Sequence, residues 1–211
     1  MTIDLYYETG SPPCAAIYMT IKAIGLEVNF IEMDLQAKDH LKPEFLAINP
    51  QHSIPTLVDD GVAIWESRPI MIYLVEKYGK EDSEHLYPKD FQKRAIVNQR
   101  MFFDVGTFYQ KIVEYYLLPI FRKTIPKEED YNRMEEIVGF LNTYLDGQNY
   151  VAGQTLTLAD ISLYASAMSL YICGFDLSRY SNVDKWFSHM DKVVPGAEEN
   201  RKAGELLRQY L

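Results

Sequence analysis

Residues 49–69 read NPQHSIPTLVDDGVAIWESRP, and more of the architecture follows from them than from any other stretch of the chain. Two apolar runs, Ile54 to Val58 and Val62 to Trp65, flank Asp59-Asp60-Gly61, a composition that predicts two strands joined by a tight hairpin. The next segment, SRPIMIYLVEKYG (67–79), has helical spacing, with Ser67 expected as N-cap and Gly79 just past the end. Upstream, IDLYY (3–7) reads as a strand and PPCAAIYMTIKAIG (12–25) as a helix closed by Gly25. VNFIEMD (28–34) reads as a strand and KPEFLAIN (42–49) as a short helical turn stopped by Pro50. The order β-α-β-α-β-β-α describes a small α/β layer on a mixed sheet.

At Gly79 the composition changes. A charged linker, KEDSEHLYPKD (80–90), follows, and beyond it strand signals vanish. Val97, Met101, Val105, Phe108, Ile112 and Tyr116 step by three or four, which predicts a long amphipathic helix with these residues as its buried stripe. EEDYNRMEEIVGFLNTYLDG (128–147) predicts another, and TLADISLYASAMSLYICGF (157–175) a third that is too apolar to lie on a surface. VDKWFSHMDKVV (183–194) and AGELLRQYL (203–211) complete an all-helical second domain. The expected division is therefore residues 1–79 as the α/β domain, 80–89 as linker and 90–211 as the helical domain.

Composition narrows the function. The chain has 211 residues, enough for one large domain or two small ones, with 47% hydrophobic and 24% charged residues, the balance of a globular protein. Thirty acidic against 21 basic residues give a net charge of -9, which disfavours nucleic acid or an anionic membrane as partner. An anionic small ligand would need local positive groups. Two distant cysteines, Cys14 and Cys173, form neither a disulfide scaffold nor a metal-ligand spacing, so no metal is expected and a reducing compartment is. With no apolar run near 18 residues and no signal-like N-terminus, the sequence reads as a soluble, cytoplasmic protein.

Three local constellations could carry chemistry. In YETGSPPCAA (7–16), Ser11 stands where a C-x-x-C redox turn would place its attacking thiol, between a strand end and a helix N-terminus. It can serve as N-cap with Pro12 at the first helical position, or its surroundings can favour a bound anion such as a thiolate. Ile54-Pro55 begins a strand. A trans proline is allowed there, whereas a cis bond would turn the Ile54 backbone outward, where an extended peptide could pair with it. Glu66, Ser67 and Arg68 sit at a strand-to-helix junction suited to a ligand carboxylate on the helix N-terminus, with Glu66 available for an ammonium group.

Together, GSPPC (10–14), NPQHSIPTLVD (49–59) and WESRPIMIYLVEKYG (65–79) resemble the thioredoxin-like N-terminal domain of cytosolic glutathione transferases. Ser11 with KPEFLAINPQHSIPTL (42–57) is most similar to the insect delta and epsilon classes. The resemblance continues through VAGQTLTLADISLYA (151–165), where Thr157 would cap a buried helix with Asp160 as the reciprocal acid. It implies that Ser11 donates a hydrogen bond to the sulfur of glutathione, the cosubstrate, and stabilises its thiolate. It implies further that His40 and His52 contact the glycyl end, that Ile54 before Pro55 pairs with the cysteinyl backbone, and that Ser53 is a further glutathione-binding residue. Glu66, Ser67 and Arg68 would hold the γ-glutamyl end.

The electrophile would lie against the helical domain, where Tyr109, Tyr115, Phe121, Leu207 and Tyr210 are candidates for a pocket wall or, equally, for core, and Tyr116, also a candidate, fits the buried stripe. The family likeness implies a homodimer that conjugates glutathione to small apolar electrophiles. Its alternatives are a peroxidase or dehydrochlorinase using the same thiolate, and a non-catalytic relative that retains the fold.

Overall fold

The computed structural model describes residues 2–125 and 128–209; the side chains of residues 120, 121 and 130 lie outside that description. Strand β1 (Ile3–Tyr7) pairs in parallel with β2 (Asn29–Glu32) and antiparallel with β3 (Thr56–Asp59), and β3 pairs antiparallel with β4 (Val62–Trp65). The sheet order is β2-β1-β3-β4, a mixed four-stranded sheet. Asp59 faces Val62, so Asp60-Gly61 is a two-residue turn. Its φ values of 49° and 81° are both left-handed, the twist that a tight hairpin needs.

Helix α1 (Pro12–Ile24) buries residues on several sides because it lies between the sheet domain and the helical domain, packing against both the helix Ser67–Tyr78 and the helix Leu158–Ile172. Gly25, at φ 65°, ends it by donating to the carbonyls of Ile21 and Lys22. Helix α2 is the short turn Pro43–Leu46. Helix α3 (Ser67–Tyr78) departs from expectation at its start. The N-cap is Glu66, at φ 71°, and Ser67 is already helical and buried, so its hydroxyl does not cap. The positive φ of Glu66 turns the backbone one residue earlier than the serine would have done.

Near the hairpin, the buried Asp59 carboxylate accepts bonds from Tyr73 at 2.6 Å, Lys77 at 2.7 Å and Tyr78 at 2.7 Å. These fasten the end of β3 to α3.

The second domain is helical. Asp90 caps α4 (Phe91–Phe103) by accepting from the backbone of Gln92 and Lys93. The helical path then runs through a π-helical turn (Asp104–Phe108), α5 (Tyr109–Ile112), a second π-helical turn (Val113–Leu117) and α6 (Leu118–Arg122). The buried positions run Val97, Met101, Asp104, Phe108, Ile112 and Leu117, and the five-residue step at the end crosses the second π-turn, which takes up an extra residue. Asp104 thus takes the buried place expected for Val105, and Leu117 that expected for Tyr116.

Helix α7 (Glu128–Tyr144) precedes α8 (Leu158–Ile172), of which only Tyr171 is exposed. The expected capping pair is present: the Thr157 N–H and hydroxyl donate to Asp160 at 2.9 and 2.8 Å. The other Asp160 oxygen accepts from Val151 N–H and the Trp186 indole. Helices α9 (Ser181–Val193) and α10 (Ala197–Arg208) close the domain. Gly204 lets α10 approach α8 closely, since a Cβ there would lie 2.9 Å from the Ile172 side chain.

Candidate functional site

Chemistry collects where β1 ends and α1 begins. Gly10, at φ 105°, makes the turn, and the Ser11 N–H bonds the Glu8 carbonyl at 3.3 Å. Ser11 occupies the N-cap position with Pro12 following it, but its side chain makes no cap bond to the helix. The hydroxyl meets the sulfur of Cys14 instead. Burial pushes the Cys14 thiol up to about 11, the Ser11 hydroxyl and the Glu8 N–H pull the other way, and the Glu8 charge pushes it further up. Cys14 is therefore a neutral thiol at physiological pH, and a resident thiolate is excluded at this turn.

Facing this turn is the loop before β3. The Ile54–Pro55 peptide is cis and His52 has φ 45°. Asn49, which is fully buried, braces this loop. Its amide donates to the Ser53 carbonyl at 3.0 Å, the Ser53 hydroxyl at 3.2 Å and the Thr56 hydroxyl at 2.9 Å. The His52 N–H returns a bond to the Asn49 carbonyl at 2.9 Å. The β1–β3 register starts at Tyr6 opposite Thr56, so its extension sets Ile54 across from Glu8, beyond the last pair of the ladder. His40 lies in a separate turn, with its ring 6.1 Å from that of His52.

The third constellation is tied to the helical domain. Arg68 donates to the Ser67 hydroxyl oxygen at 2.9 Å and forms an ion pair with Asp104 at 2.5 Å. Ser162 of α8 donates to the same Asp104 oxygen. The Tyr109 ring lies 5.7 Å from the guanidinium carbon of Arg68, and burial keeps its phenol well above its ordinary value, hence neutral. Because Ser67 Oγ accepts from Arg68, its own proton is left to donate elsewhere. Glu66, at the exposed rim, completes the group.

Between the domains, Glu8, Thr9 and Gly10 border a cavity of about 360 Å³ closed by Leu35, Leu206 and Leu207. The same three residues border a thin crevice that reaches Ser11 and Cys14. Leu207, one of the expected pocket residues, lines this cavity. Tyr109 also lies near, its phenol within electrostatic range of Cys14. Tyr115 and Tyr116 stack edge to face at 4.5 Å, and Tyr115 continues to Tyr131 at 6.0 Å and thence to Phe175. They belong to an aromatic cluster of the helical domain. The Phe121 side chain and Tyr210 fall outside the described residues.

Residues 1–76 match the N-terminal domain of glutathione S-transferase, and residues 107–192 match its C-terminal domain. The chain belongs to the glutathione S-transferase family. Its reaction is the conjugation of glutathione. A Bombyx mori glutathione transferase is 38% identical with a TM-score of 0.96, covering 100% of this chain and 98% of its own. A delta-class glutathione transferase of Nilaparvata lugens is 41% identical with a TM-score of 0.93, covering 99% and 100%. An epsilon-class glutathione S-transferase of the housefly Musca domestica is 38% identical with a TM-score of 0.92, covering 99% and 96%.

Several residues that border this candidate site were not visible as such in the sequence. Asn49 stood inside a motif without a role of its own. Asp104 followed the apolar stripe and carried no signal, since its partner Arg68 is 36 positions away. Glu8, Leu35 and Leu206 belong to three elements, and no local pattern links them.

Proposed function

We propose that this glutathione transferase joins the thiolate of glutathione to small apolar electrophiles, with Ser11 as the hydrogen-bond donor to the sulfur. The observation that carries this reading is the Ser11 hydroxyl itself, which sits at a helix N-terminus without capping it and, among the described residues, meets a weak acceptor, the Cys14 sulfur. An incoming thiolate is the stronger acceptor and redirects the proton. The remaining contacts follow the three constellations. The γ-glutamyl carboxylate rests on the start of α3, where Ser67 donates its free proton and Arg68, already neutralised by Asp104, orients that hydroxyl. Glu66 meets the ammonium group. Ile54 pairs with the cysteinyl backbone, and Ser53, His40 and His52 flank the glycyl end.

The thiolate then attacks the electrophilic carbon, and the leaving group departs with its bonding electrons, or, in an addition, the electrons move to the acceptor atom that water protonates. The electrophile occupies the cavity of Leu35, Leu206 and Leu207, beside Tyr109. Its apolar walls suit hydrophobic xenobiotics, which makes detoxification the role we favour. Two copies would pair through the face of α4 that bears Phe91 and Phe102, 86% and 72% exposed and three helical turns apart. Among the described residues no helix is long and apolar enough to cross a membrane, and the two free cysteines suit the cytoplasm.

The test is the ultraviolet thiolate absorbance of the glutathione complex, titrated from pH 5 to 9 in wild type and Ser11→Ala. A curve displaced upward in the variant supports the assignment; coincident curves overturn it.

A further inference from the structure

Resting on that reading, we infer that Glu8 sets the charge preference of the electrophile cavity, so that this transferase discriminates against electrophiles carrying a carboxylate or other anionic group. Among the described residues, Glu8 is the one charged residue of the cavity beside Leu35, Gln36, Leu206, Leu207 and Gln209. Among the described residues, the crevice leading to Ser11 adds a second carboxylate, Glu199, and no lysine or arginine. Glu199 has its own cation, Lys202, at 3.3 Å, which leaves Glu8 as the charge an incoming group meets.

Topology explains the concentration of negative charge. Glu8 leaves β1 at its C-terminal end, and the parallel partner β2 delivers Glu32 and Asp34 to the same edge. Glu8 is half-buried, and its carboxyl is pushed above the ordinary carboxylate range by burial, by Asp34 and by Glu32, in that order. Glu8 also borders the crevice that reaches Ser11, so its charge faces the place proposed for the glutathione sulfur. A substrate anion in the cavity therefore meets a carboxylate on one side and the glutathione sulfur on the other. Neutral and cationic electrophiles meet no such opposition.

The probes are two aryl enones of the same shape, one bearing a methyl ester and the other the free carboxylate. The quantity read is the ratio of kcat/KM for ester over acid within each enzyme, which cancels general effects of a substitution. At roughly 6–8 Å in a partly solvated setting, two like charges change kcat/KM by about 5- to 10-fold. The ratio in wild type is expected to fall by that factor in Glu8→Gln. In unmodified wild type it is expected to narrow as salt rises to about 1 M, where the screening length is about 3 Å. A ratio insensitive to both Glu8→Gln and salt overturns the inference while leaving glutathione transfer intact. If neither enone is conjugated, the proposed assignment of this cavity to small apolar electrophiles falls and this inference with it.

Discussion

Arg68 at the start of α3 and Asp104 at the first π-helical turn stand 2.5 Å apart, and this contact ties the sheet domain to the helical domain at the candidate site. Asp104 is fully buried and the Arg68 side chain is 11% exposed, so neither charge has water as an alternative partner. Removing one member of such a buried pair costs about 3–5 kcal/mol, because the other is left uncompensated. Asp104→Ala is therefore expected to lower stability by that order in urea denaturation. It should also raise the KM for glutathione, since Arg68 then no longer holds the Ser67 hydroxyl. Ser162→Ala, which removes one neutral donor to Asp104, should cost about 1 kcal/mol.

Ser67→Ala tests the same cluster from the ligand side. The KM for glutathione should rise more than kcat falls, as expected for a contact made equally in ground and transition states. Since Ser67 is not the N-cap, no capping loss is expected to accompany this effect. Unchanged glutathione affinity in a binding titration would remove Ser67 from the site.

For Ser11, a hydrogen bond to a charged sulfur is worth about 1.5–3 kcal/mol, or roughly one to two pKa units. Ser11→Ala should reduce turnover at pH 6.5 by about 10- to 100-fold, with the loss shrinking above about pH 8.5, where the free thiol ionises without help. A pH profile of kcat in both enzymes checks this. Glutathione binding should be largely retained.

The pH dependence of stability should carry a signature of Asp59. Burial alone would raise its carboxyl, but hydrogen bonds from Lys77, Tyr73 and Tyr78 outweigh burial and hold it below the ordinary value. A depressed carboxylate contributes stability that is present above its unfolded pKa of about 3.9 and lost as pH falls through the folded value. Asp59→Asn should thus cost about 1–3 kcal/mol at pH 7, the modest figure reflecting the partly exposed Lys77, and much less near pH 3. Urea denaturation of both proteins at the two pH values measures the difference.

Burial pushes both cysteine thiols up to about 11. At pH 8 roughly one thiol in a thousand is then ionised, given ten-fold per pH unit. Alkylation of the folded protein by iodoacetamide at pH 8 should be slow at Cys14 and Cys173 and become fast in denaturant. Rapid alkylation of Cys14 in the folded state would contradict its assignment as a neutral, buried thiol.

The sequence by itself determined what is decided locally. The Asp60-Gly61 turn between two apolar runs specified the hairpin, because a two-residue loop admits few geometries, and Gly25 marked the end of α1 by its left-handed φ. Asp160, three residues after Thr157, marked the start of α8 for the same reason: both partners of the bond lie within one turn. Four short motifs in order were enough to show the family. Only the tertiary structure decided what depends on distant residues or on backbone torsions. The positive φ of Glu66 moved the start of α3 and freed Ser67 from capping, and nothing in the residue type announces that torsion. The second π-helical turn shifted the buried stripe from Tyr116 onto Leu117, since helical periodicity read from sequence assumes an uninterrupted 3.6-residue repeat, and packing against Arg68 and Ser162 placed Asp104 in the stripe in place of Val105. The pairing of Arg68 with Asp104, and the meeting of Glu8 with Leu35 and Leu206, arise where separate elements pack together, and no spacing along the chain encodes them.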